Sequence, residues 1–234
     1  GCRVSFAESE VPSVDLVYRK FIEGNGGRAN VLALNTLVIN ARLEFVSGDP
    51  VEFRLYRKRP GMMRMRRKMA HLCVDTIFNG KNGWRQTTSA ASGEIRTEAL
   101  PEEEVEELRQ NSSIEGPFFR VGSDPANIAS VEFDTVGEIQ AIRLDLVPDA
   151  DCIYSTLWLD AETYQELKMA RFIDAVETGQ PVYEEIILSD SDQIEGVHFA
   201  QKMEYYHDGE LVKTLLVDRI RANVGLFDSY FSVE

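Results

Sequence analysis

The sequence predicts an α+β protein dominated by antiparallel strands. Three observations carry that reading. Apolar and polar residues alternate with a period of two from Leu37 onward, turn signals separate the alternating runs at short intervals, and the clear helical signals lie near residues 14–34 and 98–116. Alternation at period two puts successive side chains on opposite faces of a strand, while a helical face repeats every 3.6 residues. Short turns between neighbouring strands make the pairing an antiparallel meander.

Residues 1–12 read as a flexible lead and residues 13–234 as one domain. Ser13 caps a helix over 14–23, with Val14, Val17, Tyr18, Phe21 and Ile22 on one face. Gly24-Asn25-Gly26-Gly27 ends it, because Gly accepts the left-handed conformation past a helix C-terminus. A second short helix is expected from Arg28 to Leu34. Leu37, Ile39, Ala41, Leu43 and Phe45 then share one strand face, and Gly48-Asp49-Pro50 turns the chain. Val51, Phe53 and Leu55 continue that face, Arg59-Pro60-Gly61 turns again, and Met63 and Met65 alternate with arginines. Leu72 to Phe78 is a further strand, followed by a Gly-rich hairpin, Asn79 to Gly83, before Trp84.

Pro101 and the glutamates after it make a good helix N-terminus, since acidic groups favour the positive end of the dipole. Only Val105 and Leu108 give that helix an apolar stripe. Gly116 to Asn127, including Phe118-Phe119, reads as a polar connection. Strands resume near Val131 and are clearest over Ile139 to Leu146, where Ile142, Leu144 and Leu146 share a face. Tyr164 to Ile173 fits a helix or a strand. Tyr183 to Leu188, Phe199 to Tyr206 and Leu211 to Ile220 are strands.

Bulk composition excludes several classes. A net charge of −14 argues against nucleic acid as a partner. No run of about 18 apolar residues is present, so no transmembrane span is expected. The three cysteines, Cys2, Cys73 and Cys152, make no disulfide framework and no C-x-x-C motif. Cys73 and Cys152 are either bridged or two buried free thiols. Gly1-Cys2 has the form of a lipobox end, which makes Cys2 a lipid-attachment candidate and the protein membrane-anchored through it. The competing reading is a signal-peptidase site at Ser5-Phe6-Ala7; both imply export.

Catalytic markers are missing. There is no G-x-S-x-G and no H-E-x-x-H, and His71, His198 and His207 are scattered, so no metal, cofactor or enzymatic activity is expected. His198 and His207, nine residues apart, would face opposite sides of one strand. Gly24-x-Gly26-x-x-Ala29 spells the dinucleotide fingerprint, yet a helix rather than a strand precedes it, so it reads as a helix–helix turn. Arg54, Arg57, Lys58, Arg59, Arg64, Arg66, Arg67 and Lys68 form a basic stretch. It is either a patch for lipid headgroups or an acidic partner, or a solvated hairpin face with acids across the strands.

A sheet this long has more apolar face than one or two helices cover, and the remainder would be a dry cavity suited to acyl chains. Candidate lining residues are Leu43, Phe53, Leu55, Met63, Met65, Trp84, Ile142 and Leu144. Plain core packing is the competing role for each.

Several motifs lie in a fixed order. They are Arg59-Pro60-Gly61-Met62-Met63-Arg64, Asn79 to Trp84, Trp158-Leu159-Asp160, Ile194-Glu195-Gly196-Val197-His198-Phe199-Ala200, Asp208-Gly209, Asn223-Val224 and Phe231. In this order the chain resembles the LolA/LolB-like lipoprotein-localisation family, roughly from Val14 to Phe231. It departs at Ala200, where the family pattern has Pro, and around Val136-Gly137-Glu138. The resemblance implies an incomplete, half-open antiparallel β-barrel whose concave face is covered by short helices, and it favours a strand for Tyr164 to Ile173. It also implies a periplasmic, non-enzymatic protein that shelters lipid or lipoprotein acyl chains in lipoprotein sorting or outer-membrane biogenesis. The alternative it allows is an envelope stress sensor or interaction module with a protein partner and a cavity filled by its own core. In the carrier reading, the N-terminal helix and the Glu-rich helix act together as a lid.

Overall fold

A computed structural model describes residues 10–148, 150–174 and 179–233; Cys2 and most of the lead lie outside them. Thirteen strands form one antiparallel sheet whose order is β6-β5-β4-β3-β2-β1-β13-β12-β11-β10-β9-β8-β7. The chain lays down β1 (Thr36–Phe45), β2 (Val51–Lys58), β3 (Met62–Lys68), β4 (Leu72–Phe78), β5 (Gly83–Ser89) and β6 (Ile95–Ala99), moving outward to one edge. It crosses to the other edge and returns through β7 (Ile128–Val136), β8 (Ile139–Leu146), β9 (Thr156–Asp160), β10 (Glu166–Asp174), β11 (Pro181–Ile194), β12 (Val197–His207) and β13 (Glu210–Ala222). β13 closes against β1, with Leu37 opposite Ala222 and Phe45 opposite Lys213. The edges β6 and β7 do not meet, so the barrel stays open. The segment 164–173, open to either reading in the sequence, is mostly strand β10, and Tyr164 sits before it at a positive φ of 60°.

The order has a consequence for the helices. The crossover from β6 to β7 joins opposite edges, so its helices, α3 (Glu102–Asn111) and α4 (Pro117–Val121), pass over the open side. The N-terminal α1 (Val14–Gly24) and α2 (Arg28–Ala33) lie on the same face. Thirteen strands at a spacing of ~4.8 Å make a ribbon roughly 60 Å wide, and a helix is about 10 Å across, so two short helices cover only about four strands.

Those four are β7–β10. Val17 and Phe21 of α1 and Phe118 and Val121 of α4 pack on Ile142, Leu144, Leu157 and Leu159, all of them buried. The Phe21 and Phe118 rings meet edge to face at 5.0 Å. Fully burying each such side chain contributes about 1.5–3 kcal/mol. The segment read as a polar connection is thus corrected: Phe118 is wholly buried and α4 is a plug. Gly116 and Pro117 start this short helix, and the Tyr18 hydroxyl donates to the Phe119 carbonyl at 2.8 Å.

The sequence motifs set where α1 sits. A Cβ on Gly26 (φ 101°) would fall 1.8 Å from the carbonyl oxygen of Gly196 in the β11–β12 hairpin. One on Gly24 would fall 2.1 Å from the Thr163 carbonyl oxygen in the β9–β10 turn. Two glycines therefore let α1 dock against two hairpins, which accounts for Gly24-x-Gly26 without a nucleotide. Arg59, beside a cis peptide to Pro60, donates to the carbonyls of Leu34 (2.7 Å) and Val31 (3.0 Å) and pairs with Glu115 at 2.6 Å. It thereby caps α2 and ties it to the crossover. Asn223 (φ 54°) accepts from the Asn35 amide at 2.8 Å, and Phe231 is buried against Val38 and Tyr56 on the outer face.

Candidate functional site

Beyond the plugged strands the concave face stays open. A cavity of about 830 Å³ lies over β1–β3 and β10–β13, beneath α3. That volume falls within the ~300–1,000 Å³ usual for ligand pockets. Strand parity builds its walls. Leu43 pairs with Leu215 and Val51, Phe53 with Arg67, Leu55 with Met65, and Met63 with Phe78. Partners directly across a ladder project to the same face, so these residues form one inward surface.

Of the eight lining candidates, Leu43, Phe53, Leu55, Met63 and Met65 border the cavity. Three do not, and each is a correction. Ile142 and Leu144 are no more than 1% exposed, because α1 and α4 press directly on them. Trp84 lies on the opposite face: Gly83 takes the inward position beside Val105, Leu100 and Leu108, so the next residue points outward, paired with Ile77.

Cys73 and Cys152 are free thiols. Cys152 borders the cavity, where burial pushes its pKa up to about 11. Cys73 shares the outward parity of Asp75, so no bridge joins the two. Among the described residues no group of histidines, cysteines and carboxylates could hold a metal. His207 Nε2 lies 3.3 Å from Glu184, and His198 Nδ1 3.3 Å from the Ser191 hydroxyl.

The basic stretch splits by face. Outward, Arg64 and Arg66 both grip Asp75 through paired bonds of 2.9–3.1 Å, Arg54 and Lys68 pair with Glu52, and Lys58 pairs with Asp228. Burial raises the pKa of Asp75, but the two guanidiniums outweigh it and leave the pKa lowered. This is the hairpin face with acids nearby, not an open cationic patch. Inward, Arg57 and Arg67 border the cavity. Sequence reasoning missed both, although Arg57 has the parity of Phe53 and Leu55, and Arg67 that of Met63 and Met65.

α1 and α3 differ as covers. α1 has a buried face and two close glycine contacts. α3 buries only Leu108, with Val105 half-buried, against Met63, Phe78 and Leu100. Ion pairs supply the rest: Arg85–Glu104 and Arg171–Glu107 at 2.6 Å, and Arg109–Asp151 at 2.5 Å. The Arg85–Glu104 and Arg109–Asp151 pairs are largely exposed and each worth about 0–1 kcal/mol, while Arg171 is largely buried; with one buried leucine, α3 packs less than α1. At the border of plug and cavity, Glu166 accepts from the Phe118 amide at 3.3 Å, and burial raises its pKa to about 7.

Solved structures share this architecture. A DUF1329 family protein from Desulfovibrio piger aligns at TM-score 0.56 and 14% identity, over 94% of this chain and 97% of the other. A domain described as a putative outer membrane lipoprotein-sorting protein, from Vibrio parahaemolyticus, aligns at 0.56 and 10%, over 94% and 97%. A LolA superfamily protein from Nitrosomonas europaea aligns at 0.52 and 10%, over 95% and 98%.

The chain has a LolA-type fold.

The family resemblance read from the sequence is thus borne out at the level of the fold, and so is the half-open barrel. No family model matches the chain, and no curated protein matches its sequence. In the LolA-type sheet the open region faces α3, and no described helix is long and apolar enough to cross a membrane.

Proposed function

We infer that this protein is a non-enzymatic, exported lipid- or lipoprotein-binding protein that holds acyl chains in the concave cavity. The observation that carries this is the 830 Å³ space itself, bordered by Leu43, Phe53, Leu55, Met63 and Leu215 and left open by the helices. Apolar walls favour an alkyl chain at ~25 cal/mol per Å² removed from water, and methionines adapt to its shape at little cost. α3 is the moving part of the proposed lid, and α1 a fixed support. A chain enters as α3 swings aside, and it leaves when a partner binds the open form better. Two structural neighbours, one described as a putative outer membrane lipoprotein-sorting protein domain and one as a LolA superfamily protein, support a periplasmic role in lipoprotein sorting.

The competing reading is an envelope interaction module whose concave face is filled by its own side chains. It describes the β7–β10 region but not the open one. Lipid mass spectrometry of natively purified protein tests the choice. Stoichiometric co-purified acyl lipid is expected; lipid-free protein that also fails to take up an added fluorescent fatty acid would reject the carrier reading.

A further inference from the structure

The cavity is not uniformly apolar. Arg57 and Arg67 face into it with Nε atoms that are buried and have no hydrogen-bond partner. Lys213 also borders it, with its ammonium 4.4 Å from the centre of the Tyr205 ring. Among the described residues none of the three has a carboxylate within ion-pair distance. Of the inward carboxylates, Glu184 and Glu107 are engaged by Arg171, Glu104 by Arg85, and Glu115 by Arg59. Burial lowers the pKa of all three cations; Arg85 adds to the effect at Arg67, while the charges of Glu115 at Arg57 and of Glu184 at Lys213 work against it. An arginine does not escape by losing its proton. A protein of net charge −14 thus holds three cations at its cavity with no ion-pair partner, and an unpaired buried charge is costly.

We propose that the ligand is an anionic amphiphile, whose carboxylate or phosphate pairs with an unpartnered cation of the cavity, Arg57, Arg67 or Lys213, while its alkyl chain lies along Leu43, Phe53, Leu55 and Met63. This rests on the acyl-binding reading and narrows it: a neutral chain satisfies the walls but leaves the cations unpaired. Arginine forks suit both headgroups, because two parallel N–H donors match two oxygens.

Calorimetric titration at pH 8 tests it with four probes: dodecanoate, dodecyl phosphate, dodecanol and inorganic phosphate. The two anionic amphiphiles should bind about ten- to a hundred-fold more tightly than dodecanol, the worth of one or two charge-assisted hydrogen bonds. At least one of Arg57→Gln, Arg67→Gln and Lys213→Gln should shrink that ratio without weakening dodecanol, and Lys213→Arg should retain it; a ratio unchanged in all three overturns the assignment. Thermal midpoints of the Gln variants should equal or exceed the parent's, since each removes an unpaired buried charge. Equal binding of all three amphiphiles overturns the anion assignment and leaves the acyl cavity standing. Binding of none overturns the acyl cavity itself. Inorganic phosphate binding as tightly as dodecyl phosphate would mean a free anion is the ligand, which also overturns the proposal. Unfolding of all three Gln variants would show the charges to be structural and reject the assignment.

Discussion

Over β7–β10 the concave face is plugged, with Phe118 and Leu144 fully buried under two helices. Over β1–β3 and β10–β13 the same kind of apolar face borders about 830 Å³ of open space. The strands are patterned alike in both regions. What separates core from cavity is the reach of the helices, and that is set by two glycine contacts on hairpins far away in sequence. The plugged half is filled core, and the open half keeps the space in which the proposed ligand would lie.

The largest expected contrast is between two phenylalanines. Phe118→Ala should cost about 3–5 kcal/mol, since it empties a filled site. Phe53→Ala, at the cavity wall, should cost about 1 kcal/mol and weaken acyl binding. Chemical denaturation of both variants checks this, and equal losses would erase the distinction between the halves. Next comes Gly26→Ala. Its Cβ would collide with the Gly196 carbonyl at a φ of 101°, and the strain should cost about 1–3 kcal/mol. A crystal structure should then show α1 shifted off the β11–β12 hairpin; an unmoved helix would mean that this contact does not place the plug.

Glu166 sharpens the border between the halves through pH. Its folded pKa of about 7 lies above the ~4.3 of an unfolded Glu. Its stabilising share is therefore fully present below about pH 4 and is lost as pH rises to 7. Glu166→Gln should remove this decline, so that the variant gains relative to the parent between pH 5 and 7. Parallel thermal melts across that range would count against the assignment if they kept a constant offset. The smallest effect is expected at α3. Glu104→Gln breaks its pair with Arg85 and should cost about 0–1 kcal/mol of stability while speeding release of a bound fatty acid in stopped-flow. Unchanged release would argue that α3 is not the cover.

Much of the first half of the sheet could be read from the sequence, because β1–β3 keep a period of two and are separated by clear turns at Gly48-Asp49-Pro50 and Arg59-Pro60-Gly61. α4 could not: five residues are too few to show a helical period, and Phe118 looks like part of a polar loop until α1 is seen to pack on it. The site was legible by half. Leu43, Phe53, Leu55, Met63 and Met65 followed from parity, whereas Ile142 and Leu144 have the same parity signal and lose the cavity only because a distant helix reaches them. Trp84 was misplaced because Gly83, with no side chain to show its direction, occupies the inward position. Arg57 and Arg67 were hidden inside a run of basic residues, although counting by twos from Phe53 and Met63 places both indoors.

The most direct test fills the space. A fluorescent polyene fatty acid titrated into the parent protein should bind saturably, and Leu55→Trp should abolish binding while leaving the fold and its melting temperature intact. Saturable binding that survives the substitution unchanged, or none in the parent protein, would contradict the claim that this cavity houses an acyl chain.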